Sequence, residues 1–150
     1  MTGSQGIHSL ADYLDEQALA EALSSSLRNT LFSSSLSVSP RQVNTIASGP
    51  TSGFFTFFGD RDGSVADTYG RQLAQAGVGH RSILAMTETL RQECYQKANP
   101  STELPAVAGL YVNALLEGYM AGREELVLQE QQRTVQAYIR ASAQREDETG

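Results

Sequence analysis

A chain of 150 residues with a formal net charge of −6, 40% hydrophobic residues and one cysteine is sized for a single domain, which at this length buries about 70% of the surface its unfolded form exposes. The hydrophobic share excludes an unstructured chain, the acidic balance argues against nucleic acid and anionic membranes as main partners, and the lone Cys94 excludes an internal disulfide and points to a cytoplasmic setting. No apolar run reaches the roughly 20 residues of a bilayer span, and the opening MTGSQGIHSLADYLDE lacks a signal-peptide pattern.

The first helix is expected to start at Ser9, with Asp12 three residues on in an acidic variant of the capping box. Leu10, Leu14, Leu19, Leu23, Leu27 and Leu31 then form an apolar stripe. The serines at 24–26 lie inside this pattern and are expected to face water; those at 33–35 coincide with its end. SPRQ at 39–42 is a strong helix start, with Ser39 as cap, Pro40 at the first position and Gln42 completing the box. SGPTSG at 48–53 predicts a kink or a short break, since Pro50 lacks a backbone donor and disfavours helical geometry at Gly49. A second helical piece then carries FFTFF.

GDRDG at 59–63 reads as a polar turn. It is too short for a calcium loop and lacks the later bidentate glutamate. A third helix is expected from Ser64, with Asp67 at the box position and Val65, Tyr69, Leu73 and Ala76 on its buried side. Gly77 is placed to end it in left-handed geometry. A fourth helix follows GVGHRS, with Ile83, Leu84, Thr87, Leu90, Cys94 and Tyr95 at helical spacing, and NPS at 99–101 stops it. The fifth starts between Ser101 and Pro105 and carries Val107, Leu110, Tyr111, Ala114, Leu115, Tyr119 and Met120. No period-two strand pattern survives, so the fold class is all-α, with five or six helices.

The tail continues the fifth helix past Gly122, which costs about 1 kcal/mol against alanine without forcing a break. Met120, Val127, Gln131, Val135, Tyr138 and Ser142 approximate the three-four spacing of a coiled-coil seam. Such a seam is too thin for a fully buried helix and suits two helices packing across a dimer axis. Met120, Val127, Gln131, Val135 and Tyr138 are therefore the expected dimer interface. Helical from Pro105 to Gln144, the element would span about 60 Å, against some 30–40 Å for a compact domain of this size, so its end should project. The expected division is a helical domain over 1–122, a dimerisation helix over 123–144 and a disordered tail over 145–150.

No HExxH, CxxC, GxSxG or glycine-rich phosphate loop occurs. The spacing of Cys94 with Leu90 and Ile83 predicts a buried thiol rather than a nucleophile. The phenylalanines of FFTFF read first as core. As the lining of a ligand pocket, the candidates are Phe54, Phe57 and Phe58 with Tyr69 and Leu84. His80, just after Gly79 at a helix start, is a capping or surface histidine, and a haem ligand only on the alternative reading of a haem-binding or tetrapyrrole-binding protein. The ferritin-like Glu-x-x-His pattern is absent. No catalytic residue, metal site or cofactor is expected, and the chain is not expected to be an enzyme.

Two segments carry a resemblance. YGRQLAQAGVGHRSILAMTETLRQ (69–92) and LLEGYMAGREELVLQEQQRTVQAYI (115–139) resemble the N-terminal sensory domains of bacterial stressosome co-antagonist proteins and related sensor histidine kinases. Gly70, Leu73, Gly77, Arg81 and Ser82 match the pattern, whereas His80 stands where relatives carry another polar residue. The resemblance implies a globin-like bundle without haem that dimerises and passes a signal through its last helix to an output domain or partner protein. It brings no catalytic residues. A segment of a longer protein and a stand-alone partner both fit. A regulatory sensor that forms a parallel homodimer through its C-terminal helix is thus the leading expectation; a haem-binding globin-like protein and a helical adaptor that binds a partner helix are the alternatives.

Overall fold

A computed structural model describes residues 14–31, 39–97 and 103–149. The described backbone is five helices without a strand: α1 (Glu16–Leu31), α2 (Pro40–Asp60), α3 (Gly63–Gln75), α4 (His80–Lys97) and α5 (Leu104–Thr149). The all-α class and the long last helix are as expected from the sequence. α1 packs against both α2 and α4, α3 bridges α2 and α5, and α4 lies along α5.

The start of α1 differs from the expectation. Leu14 and Asp15 are non-helical and the helix begins at Glu16, with the amide of Leu19 donating to the Asp15 carbonyl. The proposed cap at Ser9 and box residue Asp12 lie outside the described residues. Leu14, Leu19, Leu23 and Leu27 are buried as their spacing predicts.

The serines at 24–26 do not simply face water. Ser24 is buried, and Ser26 bonds the Thr89 hydroxyl and donates to the Ala85 carbonyl on α4. One turn on, the Thr30 and Ser82 hydroxyls pair at 2.8 Å. Short hydroxyl side chains let α1 and α4 approach closely and satisfy one another across the contact, which a stripe of larger polar residues could not do.

α2 opens with the capping box predicted for it. The Ser39 hydroxyl accepts from the Gln42 amide at 3.2 Å, and the Gln42 side chain accepts from the Ser39 amide at 2.8 Å. Of the kink or short break expected in its middle, the break does not occur: the helix runs through SGPTSG with Pro50 inside it. An interior proline costs about 3 kcal/mol in a lone helix, but the surrounding structure binds this turn from both sides. Buried Thr51 donates its hydroxyl to the Ala47 carbonyl at 2.8 Å, and Tyr111 of α5 donates to the Pro50 carbonyl at 2.6 Å. Gly49 and Gly53 leave room for the Tyr69 ring of α3: a Cβ on either would stand 2.9 Å and 2.7 Å from it.

The α2–α3 turn is shorter than GDRDG. Arg61 takes the left-handed conformation at φ 59° and donates its amide to the Phe57 carbonyl at 2.7 Å. Asp62, not Ser64, caps α3: its carboxylate accepts from the Ser64 amide at 3.0 Å, which holds this acid below the ordinary carboxylate range. Asp67 does not complete a box; it pairs with Arg71 at 2.9 Å. At the other end Gly77 adopts φ 87°, with Val78 donating to Leu73 and Gly77 to Ala74. This is a Schellman end, and Val78 is buried against it.

The buried face of α3 is also corrected. It is Ala66, Gly70, Leu73 and Ala74, with Val65 and Tyr69 half-buried and Ala76 exposed. Small residues at four-residue spacing on α3 meet Ala114, Gly118 and Gly122 at the same spacing on α5. A Cβ on Gly70 would lie 2.6 Å from the Tyr119 amide nitrogen, one on Gly118 would lie 2.7 Å from the Asp67 Cα, and one on Gly122 would lie 2.8 Å from the Ala74 Cβ. The two backbones therefore touch along two turns, and α5 is seated on the globule by this contact. No described helix is long and apolar enough to cross a membrane.

Candidate functional site

α5 divides lengthwise. Its first half buries Leu104, Val107, Ala108, Tyr111, Val112, Leu115 and Tyr119. Glu125 pairs with Arg71 of α3; that guanidinium also binds Asp67, and its pKa is raised by these two carboxylates. Beyond Glu125 the helix runs on to Thr149, through the segment 145–149 expected to be disordered. Every described side chain over 127–140 is exposed. The 46 residues of α5 span about 69 Å at 1.5 Å per residue, so the expected projection is present.

The interface candidates Met120, Val127, Gln131, Val135 and Tyr138 all point to solvent, and Leu128 and Ile139 join them. Tyr138 is 70% exposed and the other five apolar side chains of this group at least half so. At about 100° per residue, all seven lie within an arc of about 120°, opposite the face that α5 buries against α3. Leu128 stands seven residues before Val135 and Ile139 four after it, so both flank the expected seam on one side.

The aromatic candidates sit elsewhere. Phe54 and Phe57 of α2 are buried and pack on the ring of Tyr111, with centroids 5.1 Å and 5.4 Å away. Phe58 is half-buried beneath the Arg61 guanidinium, 5.4 Å from the ring centroid. Tyr69 lies against Gly49 and Gly53. These four side chains share the α2–α3 side of the bundle. Leu84 does not join them: it is 56% exposed on α4, because α1 occupies the space between α2 and α4. Tyr111, read from the sequence only as core, is what fills the aromatic cluster and ties it to the Pro50 carbonyl. Among the described residues its buried hydroxyl, like every other buried side-chain nitrogen and oxygen, has a partner.

His80 is exposed, with its ring edge-on to Tyr119 at 5.7 Å. It stands on the rim of a surface groove of about 630 Å³ that also takes in Arg123, Val127 and Leu128. The hydroxyl of Tyr119 donates to the Val78 carbonyl at 2.5 Å, fixing the turn that precedes His80. A second groove, of about 650 Å³, runs between α4 and α5 and is lined by Glu88, Arg91, Tyr95, Pro105 and Gly109 among others. Cys94 is fully buried, and burial pushes its thiol up to about 12. At neutral pH it is a core side chain. Among the described residues no three His, Cys, Asp or Glu side chains gather where they could hold a metal ion.

The described surface thus concentrates its apolar side chains on one pair of helices. All nine exposed large hydrophobic residues belong to α4 (Leu84, Tyr95) or α5 (Leu110, Met120, Val127, Leu128, Val135, Tyr138, Ile139). In comparisons with known proteins, no family model, no curated protein and no solved structure matches the chain.

Proposed function

We propose that this chain is a non-catalytic regulatory module of bacterial signal transduction, a globin-like sensor domain that works as a homodimer and passes a change in helix packing outward through α5. The observation that carries this reading is the exposed apolar stripe on the projecting half of α5. A helix with five large apolar side chains in water on one face (Val127, Leu128, Val135, Tyr138 and Ile139) is a site for association, and a second copy offers the same stripe by symmetry. The resemblance to stressosome co-antagonist and sensor-kinase domains supports the reading at particular residues. Gly70 is a point of backbone contact with α5, Gly77 makes the left-handed end of α3, and Ser82 bonds α1.

The coupling follows from the packing. α5 meets α3 through backbones rather than long side chains, so a ligand or partner that moves α3 moves α5 with it. The aromatic side chains on α2 and α3 are the nearest place for such an input, because Tyr69 and Tyr111 both lean on the Gly49–Gly53 turn. Packed helices that slide between two arrangements are a recurrent switching device. The output is an appended domain or a separate cytoplasmic signalling protein that reads the paired helices.

Light scattering coupled to size-exclusion chromatography tests the reading. The intact chain is expected to elute as a dimer, and Val135→Glu, which places two carboxylates in the seam, to shift it to monomer with unchanged helical circular dichroism. A monomeric intact chain at concentrations of about 100 μM would remove the proposal, since a signalling dimer of this kind is expected to hold at micromolar levels.

A further inference from the structure

α2 is weakest as a helix where its neighbours hold it most closely. Pro50 has no amide to offer the Ile46 carbonyl, so one intrahelical hydrogen bond is missing in mid-helix. Thr51 turns its hydroxyl back to the Ala47 carbonyl at 2.8 Å, a bond that favours bending. Gly49 and Gly53 flank this turn, and both are poor helix formers. What holds the turn comes from outside the helix. Tyr111 of α5 donates to the Pro50 carbonyl at 2.6 Å, and Tyr69 of α3 lays its ring against both glycines. We propose that α2 is jointed at Pro50 and that the Tyr111 hydroxyl is the latch of the joint. With the bond made, the helix is held as described; with it broken, the half 40–49 swings against the half 51–60. The joint lies within one chain and stands whether or not two copies associate.

The packing on either side of Pro50 decides which half moves. After it, Phe54 and Phe57 are buried on the Tyr111 ring, and α5 is itself seated on α3 by main-chain contact at Gly70 and Gly118. The half 51–60 is therefore fixed to the α3–α5 pair by large aromatic side chains. Before Pro50, α2 buries the smaller side chains Val43 and Ala47 and carries no aromatic ring. Less apolar surface holds the half 40–49 in place, so it is the half that swings.

Access to the latch runs through Tyr69. It is half-buried and borders a shallow recess of about 270 Å³ with Ser64, Val65, Thr68 and Gln72. Its ring and the Tyr111 hydroxyl oxygen meet at Gly53, where a Cβ would stand 2.7 Å from both. A ligand or partner that displaced the Tyr69 ring from this recess would act on the joint directly, and a change of angle at a proline needs no helix to unfold.

Spin labels measure the joint. Arg41→Cys on the first half and Thr56→Cys on the second are each combined with Asn113→Cys on α5, all three being exposed positions, while buried Cys94 stays unlabelled. The labelled intact chain is diluted in an excess of unlabelled chain, and double electron–electron resonance reads the distance within each pair. Before any further substitution, each pair is expected to give one narrow distribution. Tyr111→Phe is expected to shift or split the 41–113 distribution by about 5 Å and to leave 56–113 as it was, since position 41 lies about 13 Å from the joint and proline kinks reach about 20° or more. Pro50→Ala added to Tyr111→Phe returns the missing amide and is expected to restore the single 41–113 distance. An unchanged 41–113 distribution in Tyr111→Phe would overturn the latch. Equal broadening of both pairs would show a general loosening of the bundle and overturn the joint. A double variant as broad as the single one would place the movement away from Pro50, again overturning it. Should Tyr111→Phe lose its helical circular dichroism, Gly53→Ala displaces the same hydroxyl and is read on the same two pairs with the same outcomes.

Discussion

Tyr111 ties α5 to α2 through both its ring and its hydroxyl. Its ring carries Phe54 and Phe57, and its hydroxyl donates to the Pro50 carbonyl. Tyr111→Phe leaves the ring packing in place and removes the donor, so a buried carbonyl loses its extra partner; the expected loss is about 1–2 kcal/mol in urea unfolding. Cys94 and Tyr111 also set an alkaline limit. Burial raises the Cys94 thiol from 9.0 to about 12 and raises Tyr111 as well. The unfolded chain therefore ionises first, and the contribution of each group is complete below its unfolded pKa and lost as pH climbs toward its folded value. Stability measured by denaturant titration is expected to fall steadily from pH 9 to 12, and a flat profile there would contradict the burial of these groups. At this scale local chemistry was legible in the sequence where partners are near in the chain. Ser39 and Gln42 are three residues apart, and the left-handed Gly77 follows its own helix. The relief of Pro50 was not legible, because its partner lies 61 residues away.

Between elements, the contact that seats α5 is built from residues that hydrophobic patterning overlooks. Alanine and glycine add little to an apolar stripe, so the buried side of α3 was expected at Val65, Tyr69, Leu73 and Ala76; of these Leu73 alone is buried, and the backbones meet at Gly70 and Gly118. The signal was present as small residues every fourth position in both helices: 66, 70 and 74, then 114, 118 and 122. Gly118→Ala is expected to cost more than about 3 kcal/mol, since the new methyl group meets main-chain atoms of Asp67 that cannot move aside as a side chain would. A thermal melt checks this, and Gly109→Ala, at a helical position where a Cβ meets nothing within 4 Å, is the matched control expected to be neutral or stabilising. The hydroxyl pairs between α1 and α4 escaped the sequence reading for a related reason. A serine inside an apolar pattern reads as solvent-facing unless the opposing Thr89 and Ser82 are known to be its neighbours.

For the molecule as a whole, helix content and the overhang of the last helix were legible from periodicity and length alone. The arrangement of the five helices was not, since the α1–α4 and α3–α5 pairings depend on small and polar side chains. Met120, Val127, Gln131, Val135 and Tyr138 lie on the exposed stripe where the sequence placed them, and Leu128 and Ile139 beside them were read only as apolar residues of the tail. α5 passes from the globule into its free half with no interruption, anchored at Gly118, Gly122 and the Arg71–Glu125 pair. About 36 Å of stiff shaft lies beyond that last anchor at 1.5 Å per residue, so tilting its base by about 5° would swing the tip by about 3 Å, close to the rise of two residues. Leverage of this kind makes a small rearrangement under the aromatic side chains large where another protein would feel it.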